Sequence, residues 1–331
     1  MKGWVIALGI LTVGIIASLF VGVIDLDAGS FLQSGEGLDL LVVSRIPRTL
    51  AVLLTGASLA VAGIIMQMIV ANRFVEPMTA GSGSTAALGI LLITFLAPEA
   101  SIALKMAAAC IISLLGMMAF LAMVRRLPSH QPLLVPLVGL AYGGVVSALV
   151  TFIAFQMDLL QYLETWFNGE FSGILQGRYE LLWLAGILML LAYFVADQFA
   201  ILGLGQNVSI NLGLNYHQIV RLGLIIVSLI SAVTVVTVGV IPFVGLVVPN
   251  IVSRWLGDNL RRTLPVTAMM GGGLVLLSDL IGRIVRHPFE IPAATIFGFL
   301  GASLFLWLLY FPPRQPGARP EAPHAHQEKK A

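Results

Sequence analysis

Residues 239–265 read GVIPFVGLVVPNIVSRWLGDNLRRTLP. An apolar run, interrupted by Pro242 and Pro249, ends abruptly in Arg254, Asp258, Arg261 and Arg262. A soluble core rarely sets so many apolar residues beside so dense a polar patch. A membrane span that leaves the lipid at a charged loop does so routinely, because charges are costly in hydrocarbon and cheap at its edge. Proline is tolerated within such a span when neighbouring groups satisfy the carbonyl it frees.

The rest of the chain agrees with this reading. Of its 331 residues 58% are hydrophobic and only 10% charged, whereas a soluble domain carries about 25% charged residues. Too few charges remain to cover a water-facing surface. The 34 glycines fall largely inside the apolar runs, where small residues let helix backbones approach. Cys110 is the sole cysteine, which excludes an intrachain disulfide and a cysteine-based metal site. The formal net charge is +2, and no basic stripe with interleaved aromatics points to nucleic acid.

Runs of spanning length begin at Trp4–Val23. No small-x-small cleavage site follows this first run, so it reads as an uncleaved span. After a polar excursion over 24–46 come apolar segments at 48–68, 79–97, 103–124, 133–155, 179–199, 219–238, 241–256, 264–284 and 292–311. The expected fold is therefore an all-α polytopic membrane protein of ten transmembrane helices. The segment 241–256 is short, and tilted or partly re-entrant. Residues 1–311 form one transmembrane domain. The Pro-, His- and charge-rich stretch 312–331 reads as a disordered cytoplasmic tail. Ten spans put both termini on one side. With the N-terminus inside, the inner loops hold twelve of the 18 Lys and Arg residues, so the positive-inside rule places both termini in the cytoplasm.

No constellation of side chains resembles a catalytic site. The five histidines show no metal-ligand spacing, and His324 and His326 fall in the tail. No GxxxxGK[ST] loop is present, so the chain does not bind ATP that way. The stretch AGSGSTAALG at 80–89 enters an apolar span with no strand before it, which rules out a dinucleotide cradle. Tight helix packing through Gly81, Gly83, Ser84 and Ala87 is one reading of it. A pliable segment beside a transport path, with Ser82 and Ser84 on it, is the other. Gln67, near the inner end of the second span, either bonds another helix or faces a central cavity.

Several charges lie at span ends. Asp279 and Arg283 are four residues apart and share a helix face, either as a structural ion pair or with Arg283 offered to a partner. Glu290 precedes Pro292 and is placed to cap the last span. Arg45 and Arg48 bracket Ile46 and Pro47; exposed, they either hold carboxylates bidentately or snorkel to head groups. Asp258, Arg261 and Arg262 anchor a cytoplasmic loop. The polar loop at 200–218 contains a helix-like segment, Gln206–Leu212, between glycines, which suits an interfacial or docking helix. The stretch 156–178 suits a membrane-surface segment.

Three ordered stretches carry a resemblance. RIPRTLAVLLTGASLAVAG at 45–63, followed by Gln67, the stretch quoted first, and LLSDLIGRIVRHPFEIPAATIFGFLGASLFLWLL at 276–309 resemble the permease subunits of bacterial ABC importers for iron–siderophore, haem and vitamin B12 complexes. The chain departs from that pattern at Asn72-Arg73-Phe74, Asn250, Asn259-Leu260 and Ser278. The resemblance implies a permease in the bacterial cytoplasmic membrane, paired with an identical or homologous permease. It also implies two cytoplasmic ATPase subunits, which hold ATP and Mg, and a periplasmic or lipid-anchored substrate-binding protein. It makes Arg45, Arg48 and Arg283 the residues that meet acidic side chains of that binding protein. It makes the loop with Gln206, Asn207, Ser209, Asn211, Leu212 and Gly213 the ATPase contact. The implied cargo is a ferric siderophore, with haem or cobalamin as alternatives. An ion-coupled secondary transporter is the rival of another class; it would need midplane carboxylates, whereas the acidic residues here sit mostly near span ends.

Overall fold

The computed structural model describes residues 2–22, 39–127 and 134–310. Most of the polar excursion and the tail at 312–331 lie outside the described residues. The first helix, α1, is Lys2–Phe20. A π-turn at Leu41–Arg45 runs directly into α2, Ile46–Val70. Pro47 starts α2 where its missing N–H costs nothing, and Ala71, in the left-handed region (φ 51°), ends it.

Then follow α3 (Ser82–Leu96), α4 (Ile102–Val124), α5 (Leu134–Gln156), α6 (Leu160–Phe167), α7 (Leu182–Phe194), α8 (Ala196–Leu202) and α9 (Gln206–Asn211). The last four are α10 (Tyr216–Thr237), α11 (Val244–Leu256), α12 (Leu260–Ile284) and α13 (Ala293–Tyr310).

Helix α2 is the hub. It packs against α7, α10, α11 and α12. In the span it forms with the π-turn, 78% of the apolar window is buried, against 22% in α5, so α5 stands at the margin of the helix packing. The sequence of α2 explains its position. Ala51, Gly56, Ala60, Ala62 and Gly63 are all buried, and they keep its surface low enough for backbones to touch. A Cβ on Gly56 would lie 2.4 Å from the Gly271 carbonyl oxygen of α12; one on Gly63 would lie 2.1 Å from that of Gly245 in α11. This is the small-residue packing of membrane helices.

The count of ten spans is corrected by these helices. Among the described residues, five are long and apolar enough to cross a membrane, or six if α7 and α8, bent by 68° at their junction, count as one. The other expected spans are shorter helices. Ser82–Leu96 replaces 79–97, because Gly81 (φ 89°) starts the helix late. Val244–Leu256 replaces 241–256, because Phe243 (φ 69°) breaks the chain. Leu11–Phe20 and Ala293–Leu308 are likewise short apolar segments. Hydropathy registers the apolar run but not the backbone break within it. The placement of both termini on one side by an even span count therefore no longer follows.

Helices α2 and α12 run antiparallel. The start of α2 meets the end of α12 through Arg48 and Asp279, and Arg73, just past the end of α2, meets Asp258, just before α12. Each has 25 residues, roughly 37 Å at 1.5 Å per residue. That exceeds the ~30 Å hydrocarbon thickness. The molecule thus has two polar ends joined by an apolar middle.

Candidate functional site

At one end lies a cluster of five charged side chains: Arg45, Arg48, Asp279, Arg283 and Glu290. Arg48 Nη2 lies 2.7 Å from Asp279 Oδ1, and the same guanidinium reaches both Glu290 oxygens, at 3.0 and 2.8 Å. Asp279 also pairs with Arg283, one turn on. The carbonyls at the end of α1 complete the shell. Arg283 Nη1 donates to Ser18 and Val21, at 2.9 and 3.0 Å, and Arg45 Nη1 donates to Val21 at 2.8 Å. Such terminal carbonyls lack helical partners and favour cations.

The three arginines are brought together, but not in the exposed setting expected from the sequence. Arg45, Arg48 and Arg283 are only 7%, 9% and 3% exposed. Their charges are answered from within the chain, so none is a free surface fork. Asp279 and Arg283 form the structural ion pair that their spacing allowed, and it is buried. Glu290 pairs with Arg48.

At the opposite end the charged pairs are exposed. Arg73 Nη2 lies 2.7 Å from Asp258, and Arg261 Nη1 lies 2.8 Å from Asp197 on α8. Partial burial pushes the Asp258 carboxyl up. The Ser253 hydroxyl and the Arg73 guanidinium more than offset this, leaving it below the usual carboxylate range. Its stabilising effect is thus present at neutral pH and is lost as the pH falls through that lowered value. Exposed pairs contribute about 0–1 kcal/mol. Asp258→Asn is therefore expected to lower the midpoint of thermal unfolding in detergent by no more than a degree or two. Arg262 donates its backbone N–H to the Asn259 side chain at the start of α12, 3.3 Å, and its side chain is exposed.

The departures noted in the sequence have local roles here. Asn250 Nδ2 donates to the Arg73 carbonyl at 2.8 Å. Asn72 accepts from the Phe74 N–H, also at 2.8 Å. Asn259 caps α12. Together with Arg73 and Asp258, these bonds fasten the segment after α2 to α11 and the turn that follows it.

Sequence reasoning passed over Glu76. Its carboxylate is buried and accepts the Phe243 N–H at 2.6 Å, with the N–H groups of Gly245, Leu246 and Thr79 also directed at it. It thereby answers the open N–H groups at the start of α11 from a different segment. A lone carboxylate between two apolar runs was the available signal.

The helix α9 is bracketed by Gly205 (φ 96°) and Gly213 (φ 81°). Ser209 is buried and donates to the carbonyls of Ile201 and Gly205, at 2.9 and 2.7 Å, which ties α9 to α8. Val208, Ile210 and Leu212 are exposed, as are Gln206, Asn207, Asn211 and Gly213. Gln67 donates to the Gly245 carbonyl at 3.1 Å: it bonds another helix. Ser82 meets Ser231 of α10 at 3.1 Å, and Ser84 is half-buried. Among the described residues, no group of three or more His, Cys, Asp or Glu side chains converges to hold a metal ion.

Comparison with known proteins places this geometry. Residues 10–311 match the FecCD transport family. The chain is 42% identical to the petrobactin import system permease protein YclN of Bacillus subtilis over 295 residues, 89% of this chain and 93% of the relative. It is 39% identical to the petrobactin import system permease protein FatD of Bacillus anthracis, over 93% of this chain and 91% of the relative. Identity to the vitamin B12 import system permease protein BtuC of Yersinia enterocolitica is 36%, covering 80% of each. Among solved structures, an inward-facing metal-chelate type ABC transporter superposes with a TM-score of 0.79, over 93% of this chain and 99% of that one, at 23% identity; this likeness speaks to the fold alone. The matched residues take in both polar ends and every helix between them, and the chain belongs to the FecCD transport family as a multi-pass membrane permease rather than an enzyme.

Proposed function

We propose that this permease moves a ferric siderophore across the bacterial cytoplasmic membrane by alternating access, as one subunit of an ATP-driven importer. The observation that carries this reading is the 42% identity to a petrobactin import permease over nearly the full length of both chains. A second relative, 42% identical over 81% of this chain, is a ferric-anguibactin transport permease. Relatives named for vitamin B12 import stand at 36% and below, and cobalamin or haem is the alternative cargo.

The same reading supplies the partners: a second permease, two cytoplasmic ATPase subunits with ATP and Mg, and an external substrate-binding protein. The end with Arg73, Asp258, Arg261 and Arg262 is assigned to the cytoplasm by its excess of arginine. Both chain termini are assigned there as well. In support, α1 has its last turn at the buried arginine cluster, and the late part of α13 lies by Phe74 and Arg254, at the other end. The buried arginine end then faces outward and receives the binding protein. Of the three polar groups expected on a translocation path, Ser84 alone is partly exposed, and the path is proposed to pass it on α3, with Gln67 and Ser82 holding the adjoining helices together.

The test is uptake of an iron-55-loaded siderophore into proteoliposomes that hold permease and ATPase, with binding protein outside. Uptake that requires both ATP and binding protein is expected. Uptake that follows a proton gradient without the ATPase would instead establish a secondary transporter. Capture of haem or cobalamin, but not the siderophore, by the binding protein would reassign the cargo.

The loop around α9 is proposed as the ATPase contact, supported by its row of exposed apolar side chains. Its geometry sharpens the test. A cysteine at Ile210 should form a cross-link to a cysteine-bearing ATPase, whereas one at buried Ser209 should not. Equal cross-linking from both positions would refute this orientation of the helix.

A further inference from the structure

The buried cluster holds three arginines and two carboxylates, Asp279 and Glu290, a formal excess of +1. The two carboxylates are not equivalent. Asp279 sits within α12, is 3% exposed, and bridges Arg48 and Arg283. Glu290 lies on the connection between α12 and α13, where its neighbours Val285 and Phe289 are exposed. Its side chain is 19% exposed; Oε1 accepts from Arg48 Nη1, while Oε2 lies near Nη2 without a hydrogen bond. One carboxylate is thus locked in a helix, and the other can leave on a surface segment.

Arg48 keeps Asp279 on Nη2, while Glu290 takes Nη1, so an incoming acidic side chain finds the guanidinium already occupied. It gains Arg48 only by taking the place of Glu290, the carboxylate on the surface segment. We infer that Glu290 is a placeholder on Arg48, displaced by an acidic side chain of the substrate-binding protein when that protein docks. This rests on the proposal that the binding protein docks at this end.

The exchange keeps Arg48 paired throughout, and the free energy of docking becomes a difference between two similar ion pairs rather than the value of one. Glu290 thereby weakens capture. It also sets a chemical requirement on the partner. Only an anionic group able to replace the Glu290 carboxylate on Arg48 Nη1 displaces it, so a neutral amide at the same place in the partner gains nothing.

The experiment uses the full permease–ATPase complex in nanodiscs and its fluorescently labelled binding protein. Kd is measured for wild type, Glu290→Gln, Glu290→Asp and Arg48→Lys. Glu290→Gln is expected to tighten capture roughly tenfold, equivalent to ~1.4 kcal/mol. Glu290→Asp, one methylene shorter, is expected to tighten it less; it keeps the charge and serves if the amide variant fails to fold. Arg48→Lys keeps the charge and loses the fork, and is expected to weaken capture. If Arg48→Lys weakens capture but neither Glu290 variant tightens it, docking stands and the exchange is overturned. If Arg48→Lys leaves capture unchanged, docking at this end fails and the exchange falls with it.

Discussion

Asp279→Asn is expected to lower the stability of the folded permease by about 3–5 kcal/mol, the range for breaking a buried ion pair from one side. The residue is 3% exposed and answers two guanidinium groups, those of Arg48 and Arg283. Removing its charge leaves three arginines facing Glu290 alone. The arginines keep their charge, because the guanidinium pKa is too high to release it. The measurement is thermal unfolding in detergent, with yield in the membrane as a second readout. Combining Asp279→Asn with Arg283→Met should recover part of the loss, because one orphaned cation is removed with its partner. An Asp279→Asn protein that melts with wild type would show that the cluster is not held by charge.

Gly63→Val is expected to be comparably severe for a steric reason. The new Cβ would stand 2.1 Å from a backbone oxygen and 2.2 Å from the Cα of Gly245. These atoms belong to the main chain of α11 and cannot rotate away. Over-packing typically costs about 1–3 kcal/mol where side chains can adjust, so at least the upper end, about 3 kcal/mol, is expected here. Gly144→Ala in α5 is the control. Nothing lies within 4 Å of its added carbon, and it should melt at or slightly above wild type, because alanine favours the helix. Equal loss at both positions would mean that glycine flexibility, rather than close approach, matters at residue 63.

Both results depend on features the sequence shows unevenly. The quoted stretch 239–265 correctly announced a membrane protein, and the polar ends of α2 and α12 were visible as arginines beside apolar runs. The i,i+4 relation of Asp279 and Arg283 was also readable, since helical spacing is local. What brings Arg48 to Asp279 and Glu290 is a contact across 231 and 242 residues, and no local pattern encodes it. The arginines therefore read as surface groups when they are buried ones. The span count failed for a related reason. Phe243 and Gly81 interrupt helices through backbone angles, and an apolar side chain at a positive φ leaves no mark in a hydropathy profile. Ser209 likewise looked available in a polar loop, yet its hydroxyl is turned toward the carbonyls of Ile201 and Gly205.

The glycine contacts of α2 have a mechanical consequence. Two backbone-to-backbone seats, at Gly56–Gly271 and Gly63–Gly245, fix the axial register of one helix against two others. Neighbours on the same helix face stand three or four residues away, and those beside the two glycines carry side chains, Ala60 after Gly56 and Leu59 before Gly63. Sliding α2 along its axis would therefore bring a side chain, rather than hydrogen, toward a carbonyl. The two seats therefore oppose motion along the axis, like teeth meshed in a rack, and tie α2, α11 and α12 into one stiff core.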